Sequence, residues 1–226
     1  MNKILQDIAY KESPQVASMF EYWSQKLYEE VEFWPINDFP GLHTESHCER
    51  VLLLALIIGW RRQLKLRSMI ALAHCAIFHD TRRKDNYLDQ GHGDRAAEYY
   101  KEYCQKGALK FLPEVYATIK FHDRNDKAGD AYIRDEAPKR SLANTNEKID
   151  DTGGWLEVCH DFKDADALDR YRLGPWGLST KYLRTKEAKG LMPLAKQIVI
   201  DTIDPIIREE VMKATKPFAT RMRNGE

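Results

Sequence analysis

The sequence predicts an all-α fold, built as one helical bundle of about six to eight helices. Three observations lead there. Apolar residues recur at spacings of three and four along most of the chain. No stretch keeps the two-residue alternation of a half-buried strand for long. Prolines and glycines punctuate the periodic stretches, at Pro14, Pro35 to Gly41, Gly107, Pro113 and Pro175 to Gly177.

Val16, Phe20, Trp23, Leu27 and Val31 form the stripe of a first helix over about 14–33, with Ser13-Pro14 as N-cap and first-turn proline. Residues 34–41, with two prolines and a glycine, read as a connection. A second helix is expected over about 44–63 and a third over about 66–79. The third is apolar on most sides, as a central helix is. A polar loop over 81–91 precedes a fourth helix over about 92–106, which stops near Gly107. Pro113 opens a fifth helix reaching about His122. Residues 123–153 are polar and carry Gly129, Pro138 and Gly153-Gly154, which reads as a long loop with at most one short helix. A further helix is expected over about 155–172, and a last long one over about 191–214. All 226 residues are expected to form one domain, with the chemistry-bearing part over about 41–185.

Composition excludes several classes. Lys+Arg and Asp+Glu both number 35, which argues against general nucleic-acid binding and membrane-surface attachment. The longest apolar run, Val51 to Trp60, is too short to span a bilayer. The N-terminal residues lack the apolar core of a secretory signal. Cys48, Cys75, Cys104 and Cys159 form no C-x-x-C pair, which fits a reducing, cytoplasmic setting. Arg61-Arg62 and the basic tail Lys213 to Arg223 read as solvated surface.

The chemistry lies in polar residues that interrupt apolar stripes. Asp80 extends the stripe of Leu66, Ile70, Ala73 and Ile77, with His79 beside it. A lone carboxylate in such a row is expensive to bury. His47 lies on the stripe of Val51, Ala55 and Ile58, with His43 four residues earlier. Asp166 shares a stripe with Phe162, and Asp164, Asp169 and Arg170 surround it. A His-Asp pair capping a helix end is the plain alternative for His79-Asp80. Two His and two Asp on three helices suit a divalent metal with open positions for water or substrate. His74 is about 140° round the helix from His79, so it reads as a core histidine with a hydrogen-bond partner. His160 reads as a partner of Asp164, and Tyr99, Tyr100 and Tyr103 as helix packing.

The order His47…His79-Asp80…Asp166 resembles the H…HD…D signature of the HD-domain superfamily of metal-dependent phosphohydrolases. SHCERV at 46–51, FHDTRRKDN at 78–86, GHGDRAA at 91–97 and DADALDRYR at 164–172 resemble blocks of one branch, similar to the SidE-type phosphodiesterase domains. The resemblance implies that His47, His79, Asp80 and Asp166 hold a divalent ion, whether Mn, Ni, Co, Zn, Mg or Fe. It places His92 and His122 where a second metal or phosphate-gripping histidines stand. His43 matches the first histidine of an H-G-x-x-H block, with Thr44 in place of the glycine. His43, His92, His122 and Asp80 are thereby the candidate catalytic groups. Arg50 matches the arginine of H-x-x-R-V.

Arg82, Arg83 and Lys84 follow the His-Asp pair and suit phosphate oxygens, with Arg95 and Arg124 as further candidates. Lys163 is a weaker one. Arg170, four residues after Asp166, is expected to orient that carboxylate, and Arg50 and Asp164 to support the ligands. The expected activity is hydrolysis of a small phosphorylated substrate, a nucleotide among the candidates, by a metal-activated water. Oligomeric state is not legible in the sequence. Three alternatives stand beside hydrolysis: an HD-fold di-iron oxygenase, a non-catalytic nucleotide-binding module, and a metal-independent esterase using histidines alone.

Overall fold

The computed structural model describes residues 1–36, 42–86, 89–107, 109–144 and 151–213, with 140–144 as backbone only. Among them the fold is all helical. The order is α1 (Lys3–Glu12), α2 (Pro14–Glu30), α3 (Glu45–Arg61), α4 (Leu66–Phe78), α5 (His92–Gln105) and α6 (Pro113–Phe121). Then come α7 (Asp126–Asn144), α8 (Thr152–Leu168) and α9 (Lys186–Thr202). A 3-10 helix over Asp169–Leu173 continues α8, another covers Thr180–Tyr182, and α10 covers 205–213. The remainder of the 34–41 connection and the basic tail from 214 lie outside the described residues.

The centre of the bundle is α3. Every residue from His47 to Gly59 is buried, because α1, α2, α4, α8 and α9 all pack around it. Each of its leucines and isoleucines removed from water contributes roughly 1.5–3 kcal/mol. The polar members of this run are all engaged. Glu49 accepts from the Asn2 backbone N–H and the Tyr28 hydroxyl, both at 2.9 Å. α4 packs beside α3 and buries Met69 and Ala71 through Phe78. Tyr99, Tyr100 and Tyr103 of α5 close on Phe78 with ring centroids 5.8, 5.3 and 5.1 Å away.

Ser13 joins α1 to α2 without a loop. Its backbone N–H bonds to Ala9 O and ends α1, and its side chain accepts from Val16 N at 3.0 Å and starts α2. Pro14 stands at the first helical position, where its missing N–H costs nothing.

Two expectations are corrected, and one helix stands where none was assigned. The 123–153 stretch is not a loop, since α7 fills most of it. Among the residues whose burial is described, the helix buries Gly129, Ile133 and Ala137, at spacings of four, against a small second core with Trp155 and Cys159. Its polar surface and Pro138 inside the helix hide so thin a stripe. The N-terminal residues form α1, capped by the Asn2 side chain on Ile4 N at 2.9 Å. The last helix is two. α9 starts at the Thr185 N-cap, and a break at Ile203-Asp204 separates it from α10. Pro205 has no N–H to continue the ladder and disfavours helical backbone at Asp204.

Candidate metal centre

Five helix ends meet at one point. His47 comes from the first turn of α3, His79 and Asp80 from the end of α4, and His92 opens α5. His122 closes α6, and Asp166 lies in the last turn of α8. Three of these ends are C-termini, whose unpaired carbonyls favour cations. His92 is set by Gly91, whose φ of +84° turns the chain into α5.

His47, His79, Asp80 and Asp166 converge. Their facing atoms are His47 Nε2 and His79 Nε2, 3.1 Å apart, with Asp166 Oδ1 at 3.4 Å and Asp80 Oδ2 at 3.5 Å from His47 Nε2. The same oxygens lie 3.9 and 3.8 Å from His79 Nε2. A second cluster joins it through Asp80. His92 Nε2 and His122 Nε2 are 2.9 Å apart, and Asp80 Oδ1 lies 3.3 and 3.6 Å from them. Asp80 therefore divides its two oxygens between the clusters. Within each triad His43–His47–Asp80, His47–His79–Asp166 and Asp80–His92–His122, the ligating atoms lie within 4.8 Å of one another.

The outer nitrogens fix the tautomers. His79 Nδ1 donates to Ala76 O at 2.9 Å, His92 Nδ1 to Asp89 O at 2.7 Å and His122 Nδ1 to Ile119 O at 2.7 Å. His47 Nδ1 donates to Asp169 Oδ2 at 2.7 Å. With Nδ1 protonated, each Nε2 presents a lone pair inward. Two lone pairs at 3 Å repel unless a cation lies between them. Burial pushes the His79 imidazole down to about 3, so a proton there is disfavoured, and the inward lone pairs suit a metal ion. His122 differs. Burial lowers its pKa, but the Asp80 carboxylate outweighs that and leaves it raised. Burial pushes the Asp80 carboxyl up, and the imidazoles of His79 and His43 outweigh it, leaving it well below the usual range. Asp166 is held low by His47 and His79 against the same effect of burial. These buried His/Asp groups can hold a metal ion.

His43 stands apart from the other histidines. Its Nδ1 lies 2.6 Å from Asp80 Oδ2, and burial pushes its imidazole down to about 4. The clusters floor a cavity of about 810 Å³ that reaches His43, Asp80, His92, His122 and Asp166. Arg83, Arg124, Lys163, Arg170, Arg172 and Arg184 line its walls.

The remaining sequence candidates divide. Arg83 sits over the second cluster, its Nη1 3.1 Å from His92 Nε2 and 3.7 Å from Asp80 Oδ1. Arg124 reaches the cavity, bonded to Asp94. Lys163 bridges Asp126 Oδ1 at 2.9 Å and Arg124 O at 2.6 Å. Arg50 grips Asp169 with two bonds, at 2.6 and 3.0 Å.

Others turn elsewhere. Arg82 points away from the cavity, stacked 3.3 Å from the Tyr99 ring centroid and bonded to Glu32 O and Thr81 O. Lys84 is exposed on the loop, and Arg95 bonds to Asp89 and Arg82 O; neither lines the cavity. Arg170 does not orient Asp166, because its Nε donates to Gly177 O at 2.8 Å. Asp164 faces α9 instead, accepting from the backbone N–H of Arg184 and Thr185 at 2.9 and 2.8 Å. His160 pairs with Asp130 of α7, at 2.8 Å, rather than with Asp164. His74 is a core histidine bonded to Tyr100 Oη at 3.0 Å.

Sequence reasoning named Asp169 only as a neighbour of Asp166 and passed over Arg172. The signal was present in spacing. Asp169 follows Asp166 by three, as Arg50 follows His47 by three, so the face of each ligand carries, one turn on, a member of the Asp169–Arg50 pair that holds His47. No helix among the described residues is long and apolar enough to cross a membrane. No protein-family model, curated protein or solved structure matches this chain.

Proposed function

We propose that this chain is a metal-dependent phosphohydrolase of the HD-domain type, acting on a small phosphate ester, a nucleotide or another phosphorylated metabolite. The observation that carries this reading is the pair of clusters joined by Asp80, opening into a cavity with cationic walls. Divalent ions held there would supply Lewis acidity toward a phosphoryl oxygen and the attacking water. The wall cations draw in an anionic substrate and hold its oxygens. His43 is tied to Asp80 through Nδ1, so Nε2 is the atom that exchanges a proton with the leaving oxygen. The four described cysteines are free and buried, in keeping with a reducing compartment such as the cytoplasm.

The test is hydrolysis of 4-nitrophenyl phosphate and bis(4-nitrophenyl) phosphate with Mn, Ni, Co, Zn, Mg or Fe(II). Release of nitrophenolate is expected, with loss of both turnover and bound metal in Asp80→Ala. His43→Ala is expected to retain metal and lose about 10²–10⁴-fold in rate. Turnover at the wild-type rate in Asp80→Ala would sink the reading.

The second cluster favours one other reading. His47, His79, Asp80, His92, His122 and Asp166 are also a fitting set for two irons, as in di-iron oxygenases of the HD fold. About two irons per chain, with oxygen uptake and no ester hydrolysis, would place that reading first.

A further inference from the structure

Arg172 is a buried arginine of the cavity wall whose hydrogen bonds do not add up. It lies in the 3-10 helix after α8, its side chain 4% exposed, and it lines the cavity beside the metal ligands. Its Nε donates to Leu42 O at 3.0 Å. Its Nη2 is 3.2 Å from His43 Nδ1. That nitrogen already faces Asp80 Oδ2 at 2.6 Å. An ionised carboxylate only accepts, so the proton of that bond sits on Nδ1, which leaves no lone pair there for Arg172. Nη1 has no hydrogen-bond partner among the described residues. The nearest carboxylate, Asp169, is 3.6 Å from Nη1, and its oxygens are taken by Arg50 and His47.

Among the other wall cations Arg170 is exposed and bonded to Gly177 O, Arg83 stands between Asp80 and His92, and the rest are paired. Arg184 pairs with Asp126 and Asp164, Lys163 with Asp126, and Arg124 with Asp94. Arg172 thus holds a buried charge with two terminal nitrogens open. Such a group is costly alone and matches a planar pair of oxyanion acceptors. Metal loading sharpens the imbalance. Around the clusters Asp80, Asp123, Asp166 and Asp169 face Arg50, Arg83 and Arg172, so one divalent ion makes the site net positive.

We propose that Arg172 is the anion-recognition residue of this site, its two terminal nitrogens taking oxygens of the substrate's phosphoryl group. This rests on the phosphohydrolase reading for its substrate, and on the cavity alone for its anion. A neutral substrate would leave the fork unfilled, so the residue selects anionic esters over neutral analogues.

Calorimetric titration of the metal-loaded chain with inorganic phosphate tests this, beside metal content and thermal unfolding of each variant. Arg172→Gln keeps much of the side chain's bulk without its charge. It is expected to retain the wild-type metal content and to raise the phosphate Kd about tenfold or more, the loss of a charge-assisted pair. Arg172→Lys keeps the charge without the fork and is expected to fall between the two. If the Gln variant does not fold, the Lys variant decides. A wild-type Kd in a folded, metal-loaded variant overturns the proposal, and so does a wild-type chain that ignores phosphate. A chain that binds phosphate through Arg172 yet cleaves no ester overturns the hydrolase reading and leaves the anion site standing.

Discussion

Both oxygens of Asp169 are occupied, by His47 on one side and by the Arg50 fork on the other. The carboxylate thereby sets which nitrogen of His47 faces the cluster, and Arg50 keeps the carboxylate ionised. Its pKa is held low chiefly by Arg50 against the opposing effect of burial. Asp169→Asn is expected to weaken metal binding by about 10–100-fold, read by competition with a chromophoric chelator. It should also cost about 3–5 kcal/mol in urea unfolding under chelator, because Arg50 is left buried without its counter-charge. Asp161 gives a prediction of the opposite kind. It is fully buried, with Arg62 Nε 3.1 Å away and no hydrogen bond, and burial pushes its carboxyl up to about 7. In the unfolded chain it titrates near 3.9. Between those values the folded state holds a proton that the unfolded state has released, so stability falls as pH rises from about 4 to about 7. Asp161→Asn is expected to melt higher than wild type at pH 8 and to show no such advantage at pH 4. Each kcal/mol recovered would appear as about 2–4 °C. At this scale the sequence exposes its ligand candidates well, since His47, Asp80 and Asp166 each interrupt an apolar stripe. It does not expose where long cations turn. Arg82 and Arg83 are neighbours in the chain, yet one stacks on Tyr99 and the other faces His92.

Between α5 and α6 the backbones approach through Gly93. A Cβ there would stand 2.8 Å from Ile119 O and 2.9 Å from Lys120 O. That closeness is what allows His92 and His122, one at the start of α5 and one at the end of α6, to face each other. Gly93→Ala is therefore expected to force the two helices apart and to separate the second cluster while sparing the first. Any ion held by the second cluster should be lost from the variant while one held by the first is kept, with an overpacking cost of about 1–3 kcal/mol. Unchanged metal content in the variant would show that the helix spacing does not control the second cluster. Helices with a broad apolar face or a clear cap are legible in the sequence. α3, α4, α5 and α6 lie within about two residues of their expected bounds. α7 is not legible, because the buried positions described on it, Gly129, Ile133 and Ala137, make too thin a stripe. His160 follows from the same gap, since its partner Asp130 lies on α7.

The bundle as a whole is unevenly held. α3 is enclosed on every side, whereas α7 touches a small core of Ala117, Ile133, Ala137, Trp155 and Cys159. Local opening follows contact with the core. Amides of α7 are expected to exchange with deuterium well before those of α3 and α4, the slowest set approaching global unfolding. Equal protection across the three helices would contradict that order. The all-helical class is legible from periodicity alone, while the meeting of five helix ends is not, because nothing local reports how distant segments converge. The enclosure of α3 has a consequence for synthesis. Its apolar run from Val51 to Ile58 leaves the ribosome before one of its covering walls, α9, which is made from Lys186 onward. For more than a hundred residues of translation the hydrophobic spine of the molecule lacks part of its cover. Chains stalled or truncated before α9 would carry that spine as a sticky surface and are expected to aggregate more readily than the finished form.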